Sequence, residues 1–249
     1  KTRAWSCAPE ALCHTFLALT TFGQEALFKI WKAEPIGRNY DISTSVVFTD
    51  CLRRRAADEK NVSSAVFSVV QQHATLRTTR FVESSEGLLQ KIELSCTSAW
   101  WEWHEECPIF KVVEKRADSS DNHNDCAWMT SAPWNLESEH TGSILRFFGC
   151  ITDDSNASCR LRVEILAHQI VADEWSMGNI RRDLMQALNI CCGHPTTESL
   201  DDAGVKTADC WEFAAWERLV VKEKGLVLRE WWKQHLKGCK PFRFHETGT

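Results

Sequence analysis

From Leu161 the chain reads LRVEILAHQIVADEWSMGNIRRDLMQAL, and this stretch constrains the fold more than any other. Leu161, Val163 and Ile165 alternate with charged residues before Leu166, the period of a strand with one buried face. The run stops at His168. Beyond it the period changes: Ile180, Leu184 and Leu188 share one face, which predicts a helix over 178–188 with Ser176 as its cap. A half-buried strand followed directly by an amphipathic helix needs a sheet to join and a layer to cover it.

The remaining pattern supplies both. Phe22, Ala26 and Ile30 recur at helical spacing over Phe22–Lys32, and Pro35-Ile-Gly37 ends that helix. Ser43–Thr49 is rich in β-branched residues and reads as a strand. Val62, Val66, Val69 and Val70 stripe a second helix from Asn61 to about Ala74. Leu76–Glu83 and Leu88–Cys96 form a hairpin about Glu86-Gly87. Ala117–Asn124 is polar and reads as a loop. Ile144–Thr152 is a strand turned by Asp153-Asp-Ser-Asn156, with Leu161–Leu166 as its partner. Cys191–Lys206 reads as a connection, and a last helical region spans about Cys210–Leu236 with an interruption near Gly225. Helices mixed with hairpins and returning strands place the chain in the α/β class, as a sandwich.

Length and charge exclude several functions. At 249 residues the chain forms one large domain or two small lobes. A net charge of −5 gives no footprint for nucleic acid or for an anionic membrane surface. No apolar run approaches the length of a membrane span. The 12 cysteines contain no C-x-x-C pair, so they read as scattered free thiols in a reducing, cytoplasmic compartment rather than as a zinc site. Two N-x-S sequons, at Asn61 and Asn156, read as chance occurrences. Arg53-Arg-Arg55 reads as a solvated charge run, and Trp100, Trp101 and Trp103 as core aromatics. His104-Glu-Glu106 lacks the spacing of a zinc protease, and neither a phosphate loop nor a nucleophile elbow occurs.

Seven segments, in order, resemble the condensation domains of non-ribosomal peptide synthetases, part of the chloramphenicol-acetyltransferase-like superfamily. Thr20–Phe28 (TTFGQEALF) resembles the family's S-x-A-Q-x-R-L-W, and Asn39–Ile42 its Y-N-I. His73–Phe81 (HATLRTTRF) is similar to R-H-E-x-L-R-T-x-F, and Ala132–Glu137 (APWNLE) to x-P-F-D-L. The stretch from His168 resembles H-H-x-x-x-D-G-W-S. Trp211–Trp216 and Trp231–Gly238 resemble Y-x-D-Y-A-x-W and Y-W-x-x-x-L-x-G. The resemblance implies a chloramphenicol-acetyltransferase-like two-layer sandwich. It covers residues 15–200 as the N-terminal lobe of a two-lobed condensation domain and 201–249 as a helical connection toward the C-terminal lobe, since family members run to about twice this length.

The resemblance also implies a chemistry. Such domains join a donor acyl thioester to an acceptor amine, forming an amide bond in a peptide or polyketide-peptide assembly line. Both substrates arrive on phosphopantetheine arms of peptidyl or acyl carrier proteins, and no cofactor is bound. The second His of the motif acts as general base or positions the amine, and the Asp pairs with an Arg to hold the loop. Aligned on Asp173, Trp175 and Ser176 fall into register as motif support, His168 is the first His, and Gln169 occupies the position of the second. Asp173 reads as a structural ion-pair or cap residue rather than an acid or base; Arg77 is the expected partner in such a pair, with Arg80 next.

Two positions depart from the family. A carboxamide at Gln169 can donate and accept hydrogen bonds but cannot take a proton near neutral pH, as imidazole can. Loss of a general base costs roughly 10²–10⁴-fold in rate; positioning alone still contributes. Adjacent residues on a strand face opposite ways, so a cleft-facing residue 169 leaves His168 as a core histidine. Glu174 replaces the family Gly, and either narrows the route of a pantetheine arm or points to solvent. The expected function is therefore condensation-type acyl transfer impaired at Gln169. The alternatives are a catalytically degenerate domain used for recruitment or scaffolding, and a Gln substitution that traps a substrate.

Overall fold

The computed structural model describes residues 15–35, 40–48, 59–85, 87–94, 110–116, 133–137, 144–153, 159–191 and 208–240. The expected loop at 117–124, most of the 191–206 connection, Arg53–Arg55, the Trp100–Trp103 patch and His104–Glu106 lie outside them.

Two sheets are present among the described residues. One consists of β1 (Thr15–Leu19), β3 (Thr78–Ser84) and β4 (Gly87–Glu93) in the order β1-β4-β3, with antiparallel neighbours. The other consists of β2 (Asp41–Phe48), β5 (Phe110–Arg116), β6 (Leu145–Asp153) and β7 (Cys159–His168) in the order β2-β7-β6-β5. In it only β5 and β6 run parallel. Four helices accompany them: α1 (Phe22–Ala33), α2 (Glu59–Gln72), α3 (Glu174–Cys191) and α4 (Cys210–His235). The α/β class read from the sequence is the class of the molecule.

The valine stripe explains α2. Val62, Val66, Val69 and Val70 are all buried, and they meet Ile180, Leu184 and Leu188 of α3 in one core. Leu161, Val163 and Ile165 of β7 enter the same core from the sheet. Each side chain of this size contributes about 1.5–3 kcal/mol on full burial. α3 also packs on β2, so the helix that follows the motif is held by both layers.

Three expectations change. Leu76 and Arg77 precede the strand, in a 3₁₀ turn over Ala74–Arg77 that lets Leu76 reach the core. The hairpin itself is as expected: Ser84 pairs with Gly87, whose φ of +123° suits a residue without Cβ. α4 runs through Gly225 without a break. A single helical glycine costs about 1 kcal/mol against alanine, which a 26-residue helix capped by Asp209 and Glu212 absorbs. The cap of α3 also moves, as described below.

α4 buries little of itself, with Ala214 its one fully buried side chain. Its first turns grip α1. Glu217 accepts from the Phe22 N–H at 2.8 Å, and Arg218 bonds the Thr20 carbonyl and Glu25 while lying 5.0 Å from the Phe22 ring centre.

Candidate functional site at the end of β7

β7 ends where β2 begins: His168 sits opposite Asp41 in the antiparallel register. The turn that follows is fixed largely by its own backbone. The His168 N–H donates to the Ile144 carbonyl at 3.0 Å, and the Gln169 N–H to the Tyr40 carbonyl at 2.9 Å. The Ile170 N–H donates to His168 Nδ1 at 3.1 Å, and the Val171 N–H to the His168 carbonyl at 3.1 Å. Ile170, Val171 and Ala172 plug into the core, while Gln169 between them and His168 is exposed.

His168, the last residue of β7, is thus buried, and Gln169, the first residue of the turn, is exposed. The imidazole of His168 is 2% exposed, edge-on to Trp134 and tilted against Tyr40, each 6.2 Å between ring centres. Burial pushes its pKa down to about 4. It is neutral at pH 7, and because Nδ1 accepts from Ile170 its proton sits on Nε2. Trp134 is fixed in turn. Its indole N–H donates to Asp41, Arg146 lies 4.4 Å from the ring centre, and its carbonyl accepts from Trp31.

Asp173 does not pair with Arg77. Arg77 is directed at the end of β4, where it donates to the carbonyls of Glu93 and, at 2.7 Å, Leu94. Asp173 is exposed and caps α3. Its Oδ1 accepts from the Ser176 hydroxyl at 2.5 Å and the Ser176 N–H at 2.7 Å. Those two bonds hold its carboxyl below the usual carboxylate range. The capping acceptor is thus Asp173, with Ser176 as donor at the third helical position, the reverse of the role expected for Ser176. Glu174 is exposed in the first turn, where a carboxylate complements the positive end of the helix. Trp175 is 82% exposed.

Two further contacts, one at the turn and one on α3, involve residues that the sequence did not single out as site residues. Gln24 of α1 donates from Nε2 to the Ile170 carbonyl at 2.9 Å, and behind it stands Gln90 of β4. His73, just after α2, lies 2.8 Å from Asp183 of α3. Burial acts to raise the Asp183 pKa, but the His73 hydrogen bond and charge, with Arg182, outweigh it and hold the carboxyl below its usual range. Both Gln24 and His73 stand in the matched motifs, which was the available signal; their partners lie 146 and 110 residues away.

Chemically, the exposed group at the turn is a carboxamide, able to orient a substrate amine or carbonyl but not to accept its proton. His168, buried behind it, faces the other way. Among the described residues no group of three or more His, Cys, Asp or Glu side chains could hold a metal ion, and no helix is long and apolar enough to cross a membrane. Cys191, Cys210 and Cys239 are thiols outside any disulfide.

No family model matches the chain. It is 26% identical over 224 residues to phosphinothricin tripeptide synthetase PhsC of Streptomyces viridochromogenes, a match that covers 89% of this chain and 18% of that protein. The starter condensation domain of rhizomide synthetase RzmA superposes with a TM-score of 0.64 at 16% identity, over 90% of this chain and 49% of that one. The first condensation domain of the CDA synthetase gives 0.64 at 15%, over 90% and 51%. The X-domain solved in complex with OxyB from teicoplanin biosynthesis gives 0.62 at 17%, over 98% and 48%. The chain thus spans about half the length of these structures and has the fold of the corresponding part of a condensation domain. The expected resemblance to condensation domains is borne out in the fold.

Proposed function

We propose that this chain is the N-terminal lobe of a condensation-type acyltransferase. It would help to join a carrier-bound acyl thioester to a carrier-bound amine in a peptide or polyketide-peptide assembly line in the cytoplasm. Its partners are peptidyl or acyl carrier proteins and neighbouring assembly-line domains, with phosphopantetheine arms delivering the substrates. Residues 201–249 form the connection toward the second lobe. The observation that carries this reading is the position of Gln169: exposed at the end of β7, in register with the motif's second His, on a turn tied down on both sides. In this role Gln169 orients the attacking amine, His168 packs behind it, Asp173 and Ser176 start the supporting helix, and Arg77 braces the 3₁₀ turn against β4. Without a base at residue 169 the reaction relies on positioning, and on an amine deprotonated before it arrives.

A second reading, a degenerate condensation-like domain that recruits a partner, is favoured by the same carboxamide, because the imidazole beside it, His168, is buried and neutral. The experiment separates the two. The full-length protein is supplied with loaded donor and acceptor carriers, and amide formation is followed by intact-protein mass spectrometry, with and without Gln169→His. Product from the parent supports a positioning catalyst. Product from Gln169→His alone marks an activity lost at this one position. No product from either removes the acyl-transfer reading and leaves recruitment.

A further inference from the structure

We infer that Gln24 is a positioning residue for the side chain at 169, acting through the Ile170 carbonyl; the functional half of this inference rests on the condensation reading above. Gln24 is 8% exposed and all three of its polar capacities are engaged. Its Oε1 accepts from the Thr21 N–H at 3.0 Å, closing the capping box of α1. Its two amide hydrogens go to the Ile170 carbonyl at 2.9 Å and to Gln90 Oε1 at 3.4 Å.

The orientation of this amide is dictated by a chain of donors and acceptors. Gln90 is fully buried; its Nε2 donates to the Leu19 carbonyl at 3.2 Å and contacts Cys210 Sγ at 3.4 Å, while Thr78 Oγ1 donates to its Oε1 at 3.4 Å. Leu19 offers only a carbonyl there, so Gln90 must turn its nitrogen to Leu19 and its oxygen to Gln24. Gln24 must then present its nitrogen to Gln90 and, with it, to Ile170. A flipped Gln24 would set oxygen against two acceptors and nitrogen against the Thr21 N–H. The bond to Ile170 is thereby enforced from the β1-β4-β3 sheet.

The target of that bond matters. The peptide joining residues 169 and 170 bonds through its N–H to His168 Nδ1, and the next carbonyl bonds to Gln24. With the Gln169 N–H held by Tyr40, these contacts leave the residue-169 side chain one direction, toward solvent. Gln24 is the one side chain outside β7 and its turn that contributes a hydrogen bond to this geometry among the described residues, which marks it as a positioning rather than a catalytic residue.

Two variants separate positioning from helix capping. Gln24→Glu keeps the acceptor for Thr21 N–H, as capping boxes prefer, but has no donor for Ile170. Gln24→Met keeps the volume and loses both. Amide hydrogen exchange on the full chain reads Gln169 and Val171 at the turn, and Glu25, whose N–H donates to the Thr21 carbonyl at 3.0 Å, as the helix control. Positioning predicts roughly tenfold loss of protection at Gln169 and Val171 in both variants, the fold-change carried by one hydrogen bond of ordinary net strength, with Glu25 unchanged in Gln24→Glu. Unchanged exchange at the turn, or an even loss across α1 and the turn, overturns the inference. In the Gln169→His background with loaded carriers, Gln24→Glu is expected to lower kcat about tenfold at constant KM; a raised KM with kcat intact contradicts it. If neither the parent nor Gln169→His yields amide, the condensation reading fails and exchange alone decides whether Gln24 holds the turn.

Discussion

His168 Nδ1 lies 3.1 Å from the amide nitrogen of Ile170, so the buried imidazole is held as a neutral acceptor at the end of β7. Protonation would break that bond and place a charge among Trp134, Tyr40 and the core. Burial accordingly lowers its pKa from 6.5 to about 4.

A pH dependence follows from this. The unfolded chain binds a proton to this residue near pH 6.5 and the folded protein only near 4, so the unfolded state holds more protons between them. Stability is therefore complete above pH 6.5 and declines as pH falls toward 4, by about 3 kcal/mol if His168 acts alone. Asp173 and Asp183, held below the 3.8 of a free carboxyl, lose their share at lower pH still. Urea unfolding from about pH 4 to 7 checks this. His168→Asn, which keeps an acceptor near Ile170 but does not titrate, should flatten the profile at a lower plateau. A wild-type profile flat across this window contradicts the burial.

Asp173→Ala is expected to cost about 1 kcal/mol, the value of a helix cap, in thermal or urea unfolding. A loss of about 3–5 kcal/mol would mean that a buried ion pair had been broken instead. Arg77→Ala should add its own loss independently of Asp173→Ala, because the two side chains share no partner.

His73, just after α2, and Asp183 of α3 tie the end of α2 to the helix that follows the motif. Asp183→Ala should destabilise by about 2 kcal/mol, as for a hydrogen bond to a charged group. His73→Ala in that background should then cost much less than it does alone. Additive losses in the double-mutant cycle would show that the pair is not coupled.

Much of this molecule is written in local periodicity. The alternation of Leu161, Val163 and Ile165, the valine stripe of α2 and the Ile180–Leu184–Leu188 face each placed an element and its buried side, because burial of one face is what selects a strand or a helix. The expected opposition of buried His168 and exposed Gln169 is also met, although Gln169 stands in the turn just past the strand. Partners are a different matter. Arg77 goes to the carbonyls of β4 rather than to Asp173, and no spacing encodes which of several buried acceptors an arginine meets. Asp173, three residues before Ser176, matches a capping pattern, and of its two expected roles, ion-pair member or cap, the local one is the one it takes. The continuity of α4 through Gly225 shows the opposite error, a weak local preference overridden by a long, capped helix.

In the proposed condensation reaction, residue 169 occupies the place from which the attacking amine would lose its proton. The most direct test is the rate of amide formation between loaded carriers for the full-length protein and its Gln169→His variant. The variant is expected to be faster by roughly 10²–10⁴-fold, the range of a restored general base, with its rate rising as the new imidazole deprotonates near pH 6.5. Equal rates for the two proteins across that pH range would contradict the claim.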